Sequence, residues 1–243
     1  MNSEITQKHQ AEVDRLYELL ERRAEVLRER YGHVPRPSDL LRERSRCQTG
    51  GVYFIFEPNE KRSSGVGQRV VRVGTTSSIE SRLVKEHAKD WGRSRFRMQI
   101  GAALLRRGDY DMHIEHAACD QWVAEWYRQV PMKRGTWGVH DRPSELDPVL
   151  HSIHPLVSHA VSEMGFLWVE VADKETQRAL ERECIRLLSN HARPNSPIDP
   201  PSTDWLGRHA RETEIRQAGL WNVMHVKKPH TPGFLDDFQG YFQ

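Results

Sequence analysis

Two β-rich segments separated by a short polar turn constrain this chain more than any other feature of its sequence. Residues 51–56 are Gly-Val-Tyr-Phe-Ile-Phe, a run of aromatic and β-branched side chains that is typical of a strand. A turn with glycine, serine and proline follows at residues 57–68, and residues 69–73 (Arg-Val-Val-Arg-Val) form a second strand that closes at Gly74. The sequence therefore predicts an antiparallel hairpin.

A third strand and several helices complete the predicted fold. Residues 165–171 are predicted as a strand, and residues 175–190 as an amphipathic helix with Leu180, Cys184, Leu187 and Leu188 on its buried side. Other helices are predicted at residues 79–91, 96–107 and about 144–161. The predicted fold class is mixed α/β (α+β): a small, mainly antiparallel three-stranded sheet flanked by helices.

Both ends of the chain are predicted as helical extensions. Residues 4–31 have a narrow apolar stripe that either packs on the body of the protein or forms a homodimeric coiled coil. A proline-rich segment at residues 194–201 precedes a last helix at residues 204–218, which ends at Gly219. The predicted division is 1–48 (N-terminal extension), 49–196 (central domain with an insertion at about 109–162) and 197–243 (C-terminal extension).

Composition excludes several classes of protein. The 36 basic and 34 acidic residues give a net charge of +2, which excludes a polybasic coat but not a local basic face. The longest apolar runs are far shorter than the roughly 20 residues of a membrane span. The first residues are polar, and three widely spaced cysteines do not make a disulfide scaffold. We therefore expect a cytoplasmic protein with no membrane partner.

The polar residues of these elements occur in an order that resembles the GIY-YIG nuclease family. The matching segments, all between residues 50 and 195, are Gly51-Val52-Tyr53, Arg72-Val73-Gly74, Ser81-Arg82-Leu83, Glu181-Arg182-Glu183-Cys184-Ile185 and Arg193-Pro194-Asn195. Arg72 replaces the tyrosine of the second signature. His87 is five residues after Arg82, where the family has a spacing of four.

The resemblance implies metal-dependent hydrolysis of a phosphodiester bond, and it implies a role for each matching residue. Tyr53 would contact or deprotonate the attacking water, and Arg82 and Arg72 would hold the phosphate. Glu181 would bind Mg²⁺ or Mn²⁺ through its carboxylate oxygens, although Glu183 competes for this assignment. Asn195 would brace the site, and His87 is a further candidate.

Basic residues beside Arg82 predict contact with nucleic acid, since local positive charge binds the phosphate backbone. The candidates are Lys85, Lys89, Arg93, Arg95 and Arg97. DNA is the expected substrate, with RNA not excluded. The alternative is a catalytically inactive nucleic-acid-binding module on the same fold, because an arginine cannot be deprotonated and so cannot replace tyrosine as a base.

Overall fold

A computed structural model of the protein describes residues 2–42, 49–63, 65–79, 81–82, 94–108 and 147–242. Its helices and strands, in chain order, are α1 (Asn2–Tyr31), α2 (Pro37–Arg42), β1 (Gly51–Lys61), β2 (Gln68–Thr76), α3 (Arg95–Arg107), α4 (Asp147–Ser162), β3 (Gly165–Glu170), α5 (Lys174–Leu188), a 3₁₀ helix (Leu206–His209), α6 (Thr213–Ala218), α7 (Phe234–Phe238) and a second 3₁₀ helix (Gln239–Phe242). The described part of the chain contains no helix with the length and hydrophobicity of a membrane span.

The three strands form one antiparallel sheet in the order β2-β1-β3, which confirms the predicted fold class. Residues 51–56 of the central strand β1 are all buried, so both faces of the sheet are covered. Tyr53 lies opposite Gly74 on β2 and opposite Trp168 on β3. The central strand therefore places the first signature segment beside the second.

The outer edges of the sheet are covered by other parts of the chain. At the β2 edge, the backbone N–H of Trp221 donates to the carbonyl of Val71 at 2.7 Å. At the β3 edge, the N–H of Phe166 donates to the carbonyl of Pro35, and Arg23 Nε donates to the carbonyl of Trp168 at 2.8 Å. Covered edges do not pair with strands of other molecules.

Helix α1 packs on the body of the same chain, which is the first of the two alternatives for residues 4–31. Its apolar stripe is almost completely buried and consists of Val13, Leu16, Leu20, Ala24 and Leu27. The helix contacts β3 and α5 and ends at Gly32, which has a left-handed backbone (φ +78°). A homodimer through this stripe would require α1 to leave the core, so the structure does not offer the stripe to a second copy.

The single helix predicted at residues 204–218 is wrong in part, because a 3₁₀ helix and the short α6 are separated by an extended Ala210. Two buried tryptophans explain this path, since Trp205 Nε1 and Trp221 Nε1 both donate to Glu57 Oε1, at 3.1 and 2.7 Å. The predicted stop at Gly219 is confirmed by its left-handed backbone. Residues of both extensions and of the central segment share one hydrophobic core, and the division into three segments stays a prediction.

Candidate active site at the edge of strand β2

Helix α5 carries Glu181 to the outer edge of β2. The helix begins at a capped N-terminus, where the Asp173 carboxylate accepts from the backbone N–H of Thr176 at 2.6 Å. Its apolar side, which includes Leu180 and Ile185, is buried. Glu181 Oε2 accepts from Thr75 Oγ1 at 3.2 Å, and the backbone N–H of Thr75 donates to the same carboxylate. Glu181 therefore provides a hydrogen-bond acceptor for the backbone N–H of Thr75 at the outer edge of β2.

The charge on Glu181 is set by opposing effects. Burial raises the pKa of the Glu181 carboxyl, and the hydrogen bonds from Thr75 and the positive charges of Arg72 and Arg82 oppose this rise. The two guanidinium groups therefore lie close enough to this carboxylate to act on its protonation. Two arginines that the resemblance selects, ten residues apart in the chain, thus lie within electrostatic range of a carboxylate about 100 residues further along.

Arg72 is held by the C-terminal segment. Its Nη1 donates to the backbone carbonyl of Trp221, and its guanidinium lies 4.9 Å from the ring centre of Phe96. Its Nε is buried and has no hydrogen-bond acceptor among the residues that the structure describes.

Tyr53 packs across Gly74. The register places Tyr53 opposite Gly74 and Ile55 opposite Arg72, so Tyr53 and Arg72 project from the same face of the sheet. A Cβ atom on Gly74 would overlap the phenol of Tyr53. The glycine of the second signature is therefore required by the tyrosine of the first. The Tyr53 side chain is only 2% exposed.

A hydroxylated turn after β2 positions Arg82. Thr76 Oγ1 donates to the carbonyl of Ser78 at 2.8 Å, and Ser78 Oγ accepts from the backbone N–H of Ser81 at 3.3 Å. The N–H of Arg82 then donates to the carbonyl of Ser78 at 3.1 Å, as in the first turn of a helix. This turn leads into the segment for which the sequence predicts a helix, residues 79–91.

The structure separates the two competing glutamates. Glu183 accepts from Arg186 at 2.7 Å, from Arg182 at 3.2 Å and from the backbone N–H of Thr231 at 2.7 Å. Its carboxylate is thus committed to ion pairs and to the C-terminal segment. Glu181 is the glutamate that lies beside Arg72 and Arg82.

One other predicted residue, Asn195, lies apart from this place. Asn195 is exposed in a turn after α5, and no hydrogen bond or ion pair among the described residues joins it to Glu181. The buried asparagine of this region is Asn190, which holds the backbone of Ile198 through both atoms of its amide, at 2.8 and 3.0 Å. The assignment of Asn195 as a brace of the site stays a prediction.

The predicted nucleic-acid contact of Arg97 is wrong. Arg97 is 0% exposed, and its Nη2 donates to Ser158 Oγ at 2.7 Å. Helix α3 is buried from Phe96 to Leu105 because α4 and the first 3₁₀ helix pack against it. Arg95 is exposed and stays a candidate. The other predictions in this region lie outside the described residues: Lys85, His87, Lys89 and Arg93.

Sequence reasoning missed Asn222, which lies in the extended segment after α6. Its side-chain amide accepts from the N–H of Val73 at 3.1 Å and donates to the carbonyl of Val73 at 2.8 Å. Asn222 thus pairs with β2 between Arg72 and Gly74, as a strand residue would. No local pattern signals this role, because the contact joins residues 149 positions apart.

The donor set of the site fits a hard divalent cation. Mg²⁺ prefers oxygen ligands, keeps several waters and is often held by one or two carboxylates. Glu181 supplies carboxylate oxygens, and Thr75 supplies a neighbouring hydroxyl. The described residues contain no group of three or more histidine, cysteine, aspartate and glutamate side chains that would form a protein cage for a metal.

One carboxylate beside two guanidinium groups is an arrangement suited to phosphate-ester chemistry. Comparison with protein families gives a match to the GIY-YIG domain over residues 7–243. The chain therefore belongs to the GIY-YIG family, a family of nucleases. Comparisons with curated proteins and with solved structures gave no significant match.

Proposed function

We propose that the protein is an endonuclease that hydrolyses phosphodiester bonds in DNA with the help of Mg²⁺ or Mn²⁺. The observation that carries the proposal is that Arg72 and Arg82 lie within electrostatic range of Glu181 at the edge of β2. The chain that carries these residues belongs to a nuclease family. A cytoplasmic location is part of the same proposal.

Glu181 is the residue that would hold the metal ion. A bound divalent cation would neutralise charge on the phosphate and on the leaving oxygen. Hydrogen bonds from Thr75 hold the carboxylate in position, and the charges of Arg72 and Arg82 oppose the effect of burial on its pKa. These features support a carboxylate that is ionised when the site is loaded.

The arginines bind and orient the phosphate. A guanidinium group presents a rigid fork of N–H donors that matches phosphate oxygens. Arg72 donates from Nη1 to the Trp221 carbonyl, and its buried Nε has no acceptor among the described residues. Arg82 supplies the second fork, so two cations would share the charge of the scissile phosphate.

Tyr53 is the proposed partner of the attacking water. Its phenol shares a face of the sheet with Arg72 and is held across Gly74. In this role the phenol oxygen accepts a hydrogen bond from the water, or its phenolate form accepts the proton of the water, while the arginines hold the phosphate. His87 and Asn195 complete the proposed set without a structural argument of their own.

Replacement of Glu181 by glutamine tests the proposal. The variant E181Q keeps the size of the side chain but removes the charge, so Mg²⁺- or Mn²⁺-dependent nicking of plasmid DNA should be abolished while DNA is still bound. The matched control is E175Q, which removes an exposed carboxylate from the first turn of the same helix. Nicking by E181Q at the rate of E175Q would refute the assignment.

A second candidate function is a nucleic-acid-binding module that does not cut. Two observations favour it: the phenol of Tyr53 is 2% exposed, and a guanidinium bonded to Trp221 stands where the family has a tyrosine. Purified protein that binds DNA and RNA but cleaves neither, across several divalent metals, would establish this function and refute the endonuclease.

A further inference from the structure

Three arginines form a stripe along α5 beside Glu181. Arg178, Arg182 and Arg186 are spaced by four residues, so their side chains follow one another along one side of the helix. Arg178 is exposed, and the side chains of Arg182 and Arg186 are 40% and 16% exposed. The stripe runs next to the position of Glu181 in the helix.

The C-terminal segment extends this stripe. Ser189 Oγ donates to the carbonyl of Val226 at 2.8 Å, and the backbone N–H of Thr231 donates to Glu183 at 2.7 Å. These bonds hold residues 226–231 against the last turns of α5. We name the α5–tail face as the surface that consists of Arg178, Arg182, Arg186, His225 and Lys228.

The α5–tail face carries an excess of positive charge. Glu183 is the carboxylate that pairs with Arg182 and Arg186, and it compensates one of these two cations. Arg178 and Lys228 are exposed additions to this charge. Lys227 is not counted, because it pairs with Glu214 at 2.8 Å.

The pKa of His225 is affected by this positive charge. Burial lowers the pKa of His225, and the charges of Arg186, Arg182 and Lys228 lower it further, against the opposing effect of Glu183. His225 has a left-handed backbone (φ +69°), which is uncommon for a residue other than glycine. The adjoining Met224 is 64% exposed, so this turn presents an apolar side chain next to the cations.

We propose that the α5–tail face binds the phosphodiester backbone of the nucleic acid next to the scissile bond. Charge complementarity selects a polyanion, and the shared helix makes the face continuous with Glu181. The inference rests on the proposed function for its substrate, and it adds a contact surface on α5 and the C-terminal segment to the one predicted from sequence.

Charge reversal at the two exposed cations tests the inference. The double variant R178E/K228E avoids Arg182 and Arg186, whose ion pairs hold Glu183. The control R22E/K61E reverses two exposed cations on α1 and β1 and changes the net charge equally. Both pairs are placed in the E181Q background, so binding is measured without cleavage, by fluorescence anisotropy with labelled duplex DNA and duplex RNA over a series of salt concentrations.

We expect R178E/K228E to weaken binding roughly tenfold and to reduce the slope of log K against log salt by about two, since two phosphate contacts are lost. The control should stay within about twofold of its parent in the same titration. Equal binding by the two double variants, or no binding of either duplex by the E181Q parent, would overturn the inference. A selective loss with DNA identifies DNA as the bound duplex, and one with RNA identifies RNA; either result supports the face.

A second measurement does not depend on charge reversal. The pKa of His225, followed by NMR and assigned with H225Q, should rise when duplex is added, because phosphate neutralises the neighbouring cations. An unchanged His225 titration in saturated protein would contradict the inference. Cleavage by the wild-type protein is a separate measurement. If the protein binds duplex through the α5–tail face but does not nick DNA, only the proposed endonuclease activity is refuted. If it nicks DNA but does not bind through this face, only the present inference is refuted.

Discussion

Replacement of Asn222 by alanine tests whether the C-terminal segment completes the sheet. The amide of Asn222 satisfies both backbone groups of Val73, at 3.1 Å for the N–H and 2.8 Å for the carbonyl. Alanine removes both partners, while the neighbouring bond from the N–H of Trp221 to the carbonyl of Val71 still holds the segment in place. Val73 is 0% exposed, so its backbone groups lose their partners in a buried place.

The expected cost follows from these two groups. A buried polar group without a partner costs about 1–3 kcal/mol, and some hydration at the sheet edge recovers part of it, so we expect N222A to lower the free energy of unfolding by about 2–4 kcal/mol. For a chain of this length, this corresponds to a drop of about 5–15 °C in the unfolding temperature. Thermal and urea unfolding followed by circular dichroism measure both quantities.

The control is the same substitution at Asn195. This side chain is exposed in a turn, so N195A should change the free energy of unfolding by no more than about 0.5 kcal/mol. If N222A unfolds at the temperature of N195A, the amide of Asn222 does not stabilise β2 and the reasoning is refuted.

Three further changes have expected outcomes in the same unfolding assays. G74A should cost about 1–3 kcal/mol because the added methyl group overlaps Tyr53, whereas G240A, with open space around it, should not; equal effects would contradict the packing of Tyr53. The pKa of His9 is lowered from 6.5 to about 4, chiefly by burial, so the folded state binds fewer protons than the unfolded state and stability should fall as pH drops from 6.5 to about 4; H9Q should show a smaller fall. The pKa of Glu181 is raised, chiefly by burial, so the folded state binds more protons and this group lowers stability as pH rises above the ordinary glutamate value of 4.5; E181Q should be more stable than the wild type at neutral pH, and an equal or lower stability there would contradict the burial of this charge.

The elements that were predictable from sequence have local signals. Strand β1 is rich in aromatic and β-branched residues, β3 is a short apolar run, and α5 has a clear amphipathic period that starts after a capping aspartate. The spacing from Glu181 to Ile185 also favours Glu181 over Glu183, and Glu181 is the one of the two whose carboxyl is affected by the charges of Arg72 and Arg82. Local composition and spacing are enough for features of this kind.

The features that were not predictable depend on contacts between distant segments. Arg97 has the sequence context of an exposed helix cation, yet α4 and the first 3₁₀ helix cover it. The break in the predicted helix at residues 204–218 accompanies two tryptophans that share Glu57, which lies 148 residues before Trp205 and 164 before Trp221. Periodicity within one element does not show which of its sides another element will cover.

The environment of Glu181 supports the proposal that this single carboxylate holds a divalent cation. Burial opposes ionisation, and Arg72 and Arg82 compensate only in part, since the pKa of the Glu181 carboxyl stays raised in the protein alone. A structural ion pair such as that of Glu183 shows the opposite result, because its arginines and the Thr231 N–H lower the pKa of its carboxyl. The two glutamates are two residues apart on one helix. The fold compensates the charge of Glu183 fully and that of Glu181 only in part. An incompletely compensated carboxylate would gain most from a nearby cation, and this difference is the physical reason for the proposal that Glu181, rather than Glu183, holds the metal.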